Sequence, residues 1–185
     1  MRKVIAVVAV VVVIGALTFF IFGQRGPREI ILEAWEFGYN GTTGGPTIKL
    51  KAGEEIRITL INRGGVAHEI IVVKDQDREA FLTETHKLVR RFIEKGVTDP
   101  IVIHASPEWH VSYRIFAVTE MVIGGNIVLG FRTIDHIHVE RGQVFSFTMK
   151  LDKPGTYNYV CGLTELTFPE THADRGMYGT IIVEA

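Results

Sequence analysis

The feature that most constrains the fold is a two-residue alternation of apolar and polar side chains in several short segments. In residues 56–60 the apolar side chains fall on every second position, and residues 145–151 repeat the pattern near the carboxyl end. Such alternation is typical of strands that bury one face. Short strands separated by turns such as Ala52-Gly53-Glu54 and Lys153-Pro154-Gly155 predict an all-β fold, a Greek-key β-sandwich.

One stretch departs from this pattern. Residues 76–95 carry apolar pairs separated by polar pairs, which predicts an amphipathic helix that ends at Gly96. Residues 101–132 return to β-branched and aromatic side chains, so we predict strands there, with Gly124-Gly125 as a hairpin turn. The sandwich is therefore expected to contain a helical segment.

The amino terminus predicts a membrane anchor. Residues 4–22 carry no charge, and as a helix they would be roughly 28 Å long, close to the thickness of a bilayer core. Arg2 and Lys3 precede them, which favours a cytoplasmic amino terminus. We predict a transmembrane helix over 1–23, a tether over 24–28, and a domain over 29–185 on the extracytoplasmic side of the cell membrane. Cleavage of this segment as a secretory signal is the alternative, although no A-x-A-like site follows it.

Composition narrows the function and draws attention to one residue. A net charge of −1 offers no basic surface for nucleic acid, so we expect no nucleic-acid partner. Cys161 is the single cysteine and cannot form an internal disulfide. Outside the cytosol a reactive free thiol is a liability, and binding to a metal is one good reason to keep it.

Four residues form a candidate metal site. A predicted strand leads into Cys161, the loop after it carries His172 and Met177, and His68 lies upstream at the start of an apolar run. Two imidazoles, one thiolate and a weak axial thioether are tolerated by both Cu(I) and Cu(II). Taken singly, each residue has an ordinary structural explanation, such as a buried cysteine that fills the core. Their combination favours copper.

These residues resemble the cupredoxin family, the blue-copper proteins that include plastocyanin and the archaeal sulfocyanins. The shared pattern consists of Tyr159-x-Cys161, a loop, His172-x4-Met177, Gly179 with a final strand, and Leu60-Ile61-Asn62 before His68. The resemblance covers residues 29–73 and 139–185, and residues 74–138 read as an insertion.

The resemblance implies a function. It implies one type 1 copper ion held by His68, Cys161, His172 and Met177, and single-electron transfer rather than enzymatic catalysis. The partners that it implies are components of a respiratory chain, a cytochrome complex or a terminal oxidase.

Two departures from the family pattern bear on the site. Ten residues separate Cys161 from His172, where members of the family usually have two to five. Glu69 follows His68 where many members have Asn, so a hydrogen bond from this position to the cysteine loop is not predicted.

The remaining histidines leave two alternatives open. His136 and His138 share one face of a predicted strand, but without a third ligand they read as ordinary strand histidines. His104 and His110 flank Pro107 in a predicted loop, and His86 is expected on the solvated side of the helix. None of the five is assigned to the copper. The first alternative is a copper-dependent redox enzyme with a second metal in the insertion, and the second is a protein that binds or delivers copper.

Overall fold

The structure, a computed structural model, describes residues 26–118, 121–123, 132–134, 136–164 and 170–185. Its strands are β1 (Arg28–Ala34), β2 (Phe37–Gly38), β3 (Thr43–Gly44), β4 (Ile48–Lys51), β5 (Glu55–Asn62), β6 (His68–Lys74), β7 (Met121–Ile123), β8 (Arg132–Ile134), β9 (His136–Val139), β10 (Val144–Lys150), β11 (Gly155–Val160) and β12 (Tyr178–Glu184). Its helices are α1 (Arg78–Glu94), which follows a 3₁₀ turn at Asp75–Asp77, α2 (Pro100–His104) and α3 (Pro107–Phe116).

The strands form two five-stranded sheets, and β2 and β3 pair as a small third one. The order in the first sheet is β1-β5-β10-β7-β8, and in the second it is β4-β12-β11-β6-β9. The two sheets share one hydrophobic core, because buried side chains from β1, β5 and β10 belong to the same cluster as those from β6, β11 and β12. The predicted β-sandwich is therefore confirmed.

The burial patterns of β5 and β6 match the spacing of apolar residues in their sequences and the place of each strand in the fold. In β5 every second residue is buried, which places Ile56, Ile58 and Leu60 in the core between the sheets. In β6 both faces are buried. Ile70 belongs to the core of the sandwich, whereas Ile71 belongs to a second cluster beneath the helices. The continuous apolar run of β6 therefore reflects a strand that is covered on both sides.

The predicted amphipathic helix is confirmed as α1. Phe81, Leu88 and Val89 are buried in the second cluster, where they cover one face of the second sheet. The chain leaves the helix through Gly96, whose φ of 79° is disfavoured for residues with a Cβ.

The prediction of strands over residues 101–132 is wrong in its first half, where α2 and α3 lie. Asp99 accepts a hydrogen bond from the backbone N–H of Ile101, and Ser106 accepts one from Trp109. In each helix a proline follows the cap and fixes a helical φ. These start signals and the burial of Trp109 outweigh the strand preference of the β-branched residues. His104 ends α2 and His110 lies within α3, so the predicted loop around them is also wrong.

The chain that follows α3 adds strands to both sheets. β7 and β8 pair antiparallel, β7 extends the first sheet beside β10, and β9 extends the second sheet beside β6. The inserted segment is thus built into the sandwich through β7 in the first sheet and β9 in the second. The predicted turn at Gly124-Gly125 lies outside the described residues.

Over residues 26–118, 121–123, 132–134, 136–164 and 170–185, the structure contains no helix with the length and apolar character needed to cross a bilayer. The predicted anchor over 1–23 lies outside these residues.

Candidate metal centre

Neighbouring strands of the second sheet bring the predicted ligands to one end of the sandwich. His68 begins β6, Cys161 directly follows β11, and Met177 directly precedes β12. Since β11 lies between β6 and β12 in the sheet, these three positions are adjacent. His172 lies on the loop between β11 and β12. The strand order thus brings together residues more than 100 positions apart.

His68, Cys161 and His172 form a compact cluster, which we call the thiol cluster. The Nδ1 atoms of the two histidines are 3.2 Å apart, and the Sγ atom of Cys161 is 3.4 Å from Nδ1 of His172. Their exposed fractions are 0%, 0% and 2%. A thiol and two imidazole nitrogens therefore meet in a buried space.

Met177 lies next to the thiol cluster and is tied to it through the backbone. Its N–H donates to the carbonyl of His172 over 2.9 Å, and its carbonyl accepts from the N–H of Cys161 over 3.1 Å. The side chain is fully buried in the core of the sandwich. The turn from Thr171 to Gly176 sets the spacing between His172 and Met177, as three consecutive i to i+3 backbone hydrogen bonds close it.

The long loop between Cys161 and His172 closes on itself. The N–H of His172 donates to the carbonyl of Leu163 over 2.8 Å, and Thr164 and Thr171 form an antiparallel bridge. The N–H of Ala173 donates to the carbonyl of Cys161 over 3.0 Å. Because the two arms pair, the additional residues do not separate the two ligands.

Burial favours the neutral forms of the cluster. Burial raises the pKa of the Cys161 thiol, and the nearby charge of Glu69 raises it further. Burial also lowers the pKa of His68 to about 3, with His172 and His138 contributing in the same direction. His68 is therefore unprotonated at neutral pH, as a metal ligand must be, and the thiol would release its proton when a metal binds.

Close packing around the outer edge of His68 holds its ring in place. A Cβ atom at Gly64 would lie 2.6 Å from Nε2 of His68, so only glycine fits there. Nε2 is buried and has no hydrogen-bond partner among the described residues. The opposite ring nitrogen, Nδ1, faces His172.

Glu69 supports the cysteine loop, although its presence in place of Asn left such support unpredicted. Its carboxylate accepts a hydrogen bond from the N–H of Gly162 over 3.0 Å and another from the hydroxyl of Tyr113. Its own N–H donates to Sγ of Cys161 over 3.4 Å. Burial opposes ionisation of Glu69, but His104, His136 and Tyr113 outweigh it and lower the pKa. The sequence does not predict these contacts of Glu69. Its position beside His68 in a buried strand was the available signal.

The structure also places the remaining histidines. Four of them gather beside Glu69, namely His104, His110, His136 and His138. His136 and His138 share one face of β9, as predicted, and both rings contact that of His104. His86 lies partly buried against Asp174, with Nε2 2.7 Å from Oδ2, rather than simply on a solvated surface.

The donor atoms of the thiol cluster fit a trigonal metal ion. Bonds of about 2.0–2.3 Å to imidazole and thiolate would place donors about 3.5–3.8 Å apart in a trigonal plane. The contacts of 3.2 and 3.4 Å reach that spacing with shifts of a few tenths of an ångström. A buried cysteine sulfur, two imidazoles and a nearby thioether match the type 1 copper donor set.

Comparison with known proteins shows that this chain is similar in fold to several solved structures. No family model matches the sequence, and no curated protein does. Among solved structures, auracyanin B is similar with 18% identity and a TM-score of 0.50 over 88% of this chain and 93% of its own. An azurin from Methylomonas sp. strain J has 16% identity and a TM-score of 0.47 over 86% and 100% of the two chains. A multicopper oxidase has 15% identity and a TM-score of 0.49 over 86% of this chain and 46% of its own. The described part of the chain therefore has a cupredoxin-like fold with a small helical insertion.

Proposed function

We propose that this protein is a single-electron carrier that holds one type 1 copper ion through His68, Cys161, His172 and Met177. The observation that carries the proposal is the thiol cluster, in which a thiol and two imidazole nitrogens lie within 4.8 Å of one another and are buried. Bound copper would supply a centre that accepts and returns one electron. The similarities to auracyanin B and azurin concern the fold, and the assignment does not rest on them.

The protein's own residues supply the conditions for rapid transfer. The backbone bonds that fix His172 and Met177 in one turn keep the donors in place when the charge of the ion changes. The N–H of Glu69, which points at Sγ of Cys161, stabilises negative charge on the sulfur. Burial of all four side chains limits the solvent that would have to reorganise. A closed, buried site of this kind suits an electron carrier better than a protein that releases copper.

The visible spectrum of the copper-loaded protein tests the proposal. We expect an intense thiolate-to-copper band that disappears on one-electron reduction and returns on oxidation. The band should be absent from Cys161→Ser, which removes the thiolate, and present in His86→Gln, which removes an imidazole outside the cluster. A copper-loaded wild-type protein without the band would contradict the proposal, as would a band that survives in Cys161→Ser.

The cellular setting is a further part of the proposal and rests on the sequence. Residues 1–23 anchor the domain to the membrane, with residues 29–185 on the extracytoplasmic side and redox partners in the respiratory chain. An anchor confines the carrier near membrane-bound partners and raises its effective concentration there. Deletion of residues 1–23 should move the protein from the membrane fraction to the soluble fraction. Retention of the truncated protein in the membrane fraction would argue against the anchor.

A further inference from the structure

A second group of metal-binding side chains lies beside the thiol cluster, where the insertion meets the sandwich. Glu69, His104 and His138 each offer a ligand atom, and these atoms lie within 4.8 Å of one another. We call this group the carboxylate cluster. The rings of His110 and His136 extend it, with centroids 6.2 and 5.2 Å from that of His104. We propose that the carboxylate cluster binds a second metal ion, a divalent transition metal that prefers imidazole and carboxylate ligands.

The distances suit such an ion. Nε2 of His104 and Oε2 of Glu69 are 2.9 Å apart. Two ligands bound at about 2.0–2.2 Å to one ion lie about 2.8–3.5 Å apart at octahedral or tetrahedral angles. The ligand atom of His138 lies no more than 4.8 Å from those of Glu69 and His104. His138 would therefore have to move by at most about an ångström or two to become the third ligand of the same ion. Side chains on the surface of a cavity can move this far by small rotations.

An independent observation concerns His138. Its Nδ1 atom is buried and has no hydrogen-bond partner among the described residues, while its Nε2 atom contacts Oε1 of Glu140 at 2.9 Å. Metal-bound histidines commonly donate their other ring N–H to a carboxylate, which fixes the tautomer and orients the ring. Glu140 is thus placed to orient His138 with Nδ1 as the ligand atom.

Glu69 is oriented in the same manner. Its Oε1 atom accepts hydrogen bonds from Tyr113 and from the N–H of Gly162, which leaves Oε2 directed to His104. The carboxylate is fully buried, so removing it from water requires strong compensating partners. A cation bound by Oε2 would provide such compensation.

A cavity of about 620 Å³ gives an ion access to the carboxylate cluster. Its walls include His104 and His138, and it extends to His172 of the thiol cluster. Three protein ligands leave a coordination position for water or a small molecule from this cavity, as in open metal sites. If the proposed electron carrier is correct, the two ions would be joined through the peptide bond between His68 and Glu69.

Metal content of the full-length protein tests the proposal. In one arm the protein is loaded with Cu²⁺, and in the other it is loaded with Cu²⁺ and then with Zn²⁺. Both samples are desalted, and the number of metal ions per chain is measured. We expect two ions per chain in at least one arm. The double variant His104→Gln/His138→Gln should hold one ion, with the thiolate band unchanged. Removing one residue that is only hydrogen-bonded to a metal ligand weakens metal binding about 10- to 100-fold. Removing two of the ligands themselves should therefore weaken binding more than about 100-fold.

Matched variants separate this site from the thiol cluster. Glutamine in place of His104 can still donate to Glu69, so a variant that folds is expected. His86→Gln should keep two ions, and Cys161→Ser should lose the thiolate band yet still fill the carboxylate cluster. If the double variant does not fold, Co²⁺ added to the copper-loaded wild type should give ligand-field bands without thiolate charge transfer. A single ion per wild-type chain in both arms, or unchanged metal content in the folded double variant, would overturn the proposal. An absent thiolate band would instead count against the electron carrier.

Discussion

The thiol cluster and the carboxylate cluster differ in what surrounds them, although β6 contributes consecutive residues to both. The side chain of His68 lies on the same side of the strand as Ile70, within the sandwich. Glu69 lies on the side of Ile71, beneath the helices. Successive side chains of a strand point to opposite faces, so one strand can serve two environments. The insertion thus converts an outer face of the sheet into a second polar site.

The two clusters also differ in their donor atoms and in their access to solvent. The thiol cluster combines sulfur with imidazole and is almost completely buried, which suits an ion that changes between Cu(I) and Cu(II). The carboxylate cluster combines oxygen with imidazole and opens to a cavity, which suits a divalent ion with an exchangeable ligand. Variants that affect both clusters, one cluster or neither can therefore test whether the two sites are separate.

Glu69→Ala should have the largest effect, because Glu69 contacts both clusters. It would leave the N–H of Gly162, the hydroxyl of Tyr113 and His104 without their shared acceptor. Removing one partner from a buried charged network costs about 3–5 kcal/mol of unfolding free energy. Denaturant unfolding of the metal-free protein measures this loss. Glu55→Ala, on an exposed position of β5, is the control and should change stability by less than about 0.5 kcal/mol. An equally small change for Glu69→Ala would show that the hydrogen bonds of Glu69 do not stabilise the fold.

Met177→Leu should affect the thiol cluster alone. Loss of the axial thioether removes a donor that stabilises Cu(II) more than Cu(I), so the reduction potential should rise while the thiolate band persists. The side-chain volume is nearly conserved, and the stability cost should stay below about 1.5 kcal/mol. Redox titration measures the potential.

Met149→Leu makes the same substitution at another buried position of the sandwich core and provides the control. It should leave the potential unchanged. Equal potentials in wild type and Met177→Leu would remove Met177 from the ligand set.

His86→Gln should have the smallest effect, since it changes neither cluster. His86 connects α1 to Asp174 on the ligand loop, and partly exposed ion pairs of this kind contribute about 0.2–1 kcal/mol. Burial tends to raise the pKa of Asp174, but hydrogen bonds from His86 and Thr171 outweigh it and lower the pKa. Stability from Asp174 is thus complete above its ordinary pKa of 3.8 and is lost as the pH falls through the lower folded value.

Unfolding midpoints across acidic pH measure this contribution. The His86→Gln variant should lose less stability on acidification than the wild type, because part of the cause of the lowered pKa is gone. Identical acid profiles for the two proteins would show that the contact between His86 and Asp174 contributes nothing to stability.

Part of this molecule could be predicted from local pattern. The alternation in β5, the amphipathic period of α1 and the spacing between His172 and Met177 each reflect neighbours in the chain, and the structure has the corresponding elements. The sequence pattern of α2 and α3 predicts strands instead of helices, since β-branched residues favour strands in general. There the capping residues Asp99 and Ser106, each followed by proline, were the better signal.

Strand period predicts the β-sandwich because it acts over short distances in the chain, and the resemblance to cupredoxins points to His68, Cys161 and His172 as the residues of the thiol cluster. Tertiary packing, by contrast, places the carboxylate of Glu69 against the cysteine loop and brings His104 and His138 to it. These residues come from β6, α2 and β9, and no period or spacing relates them. Their proximity follows from the packing of the insertion against the sheet, which depends on long-range contacts rather than on local pattern.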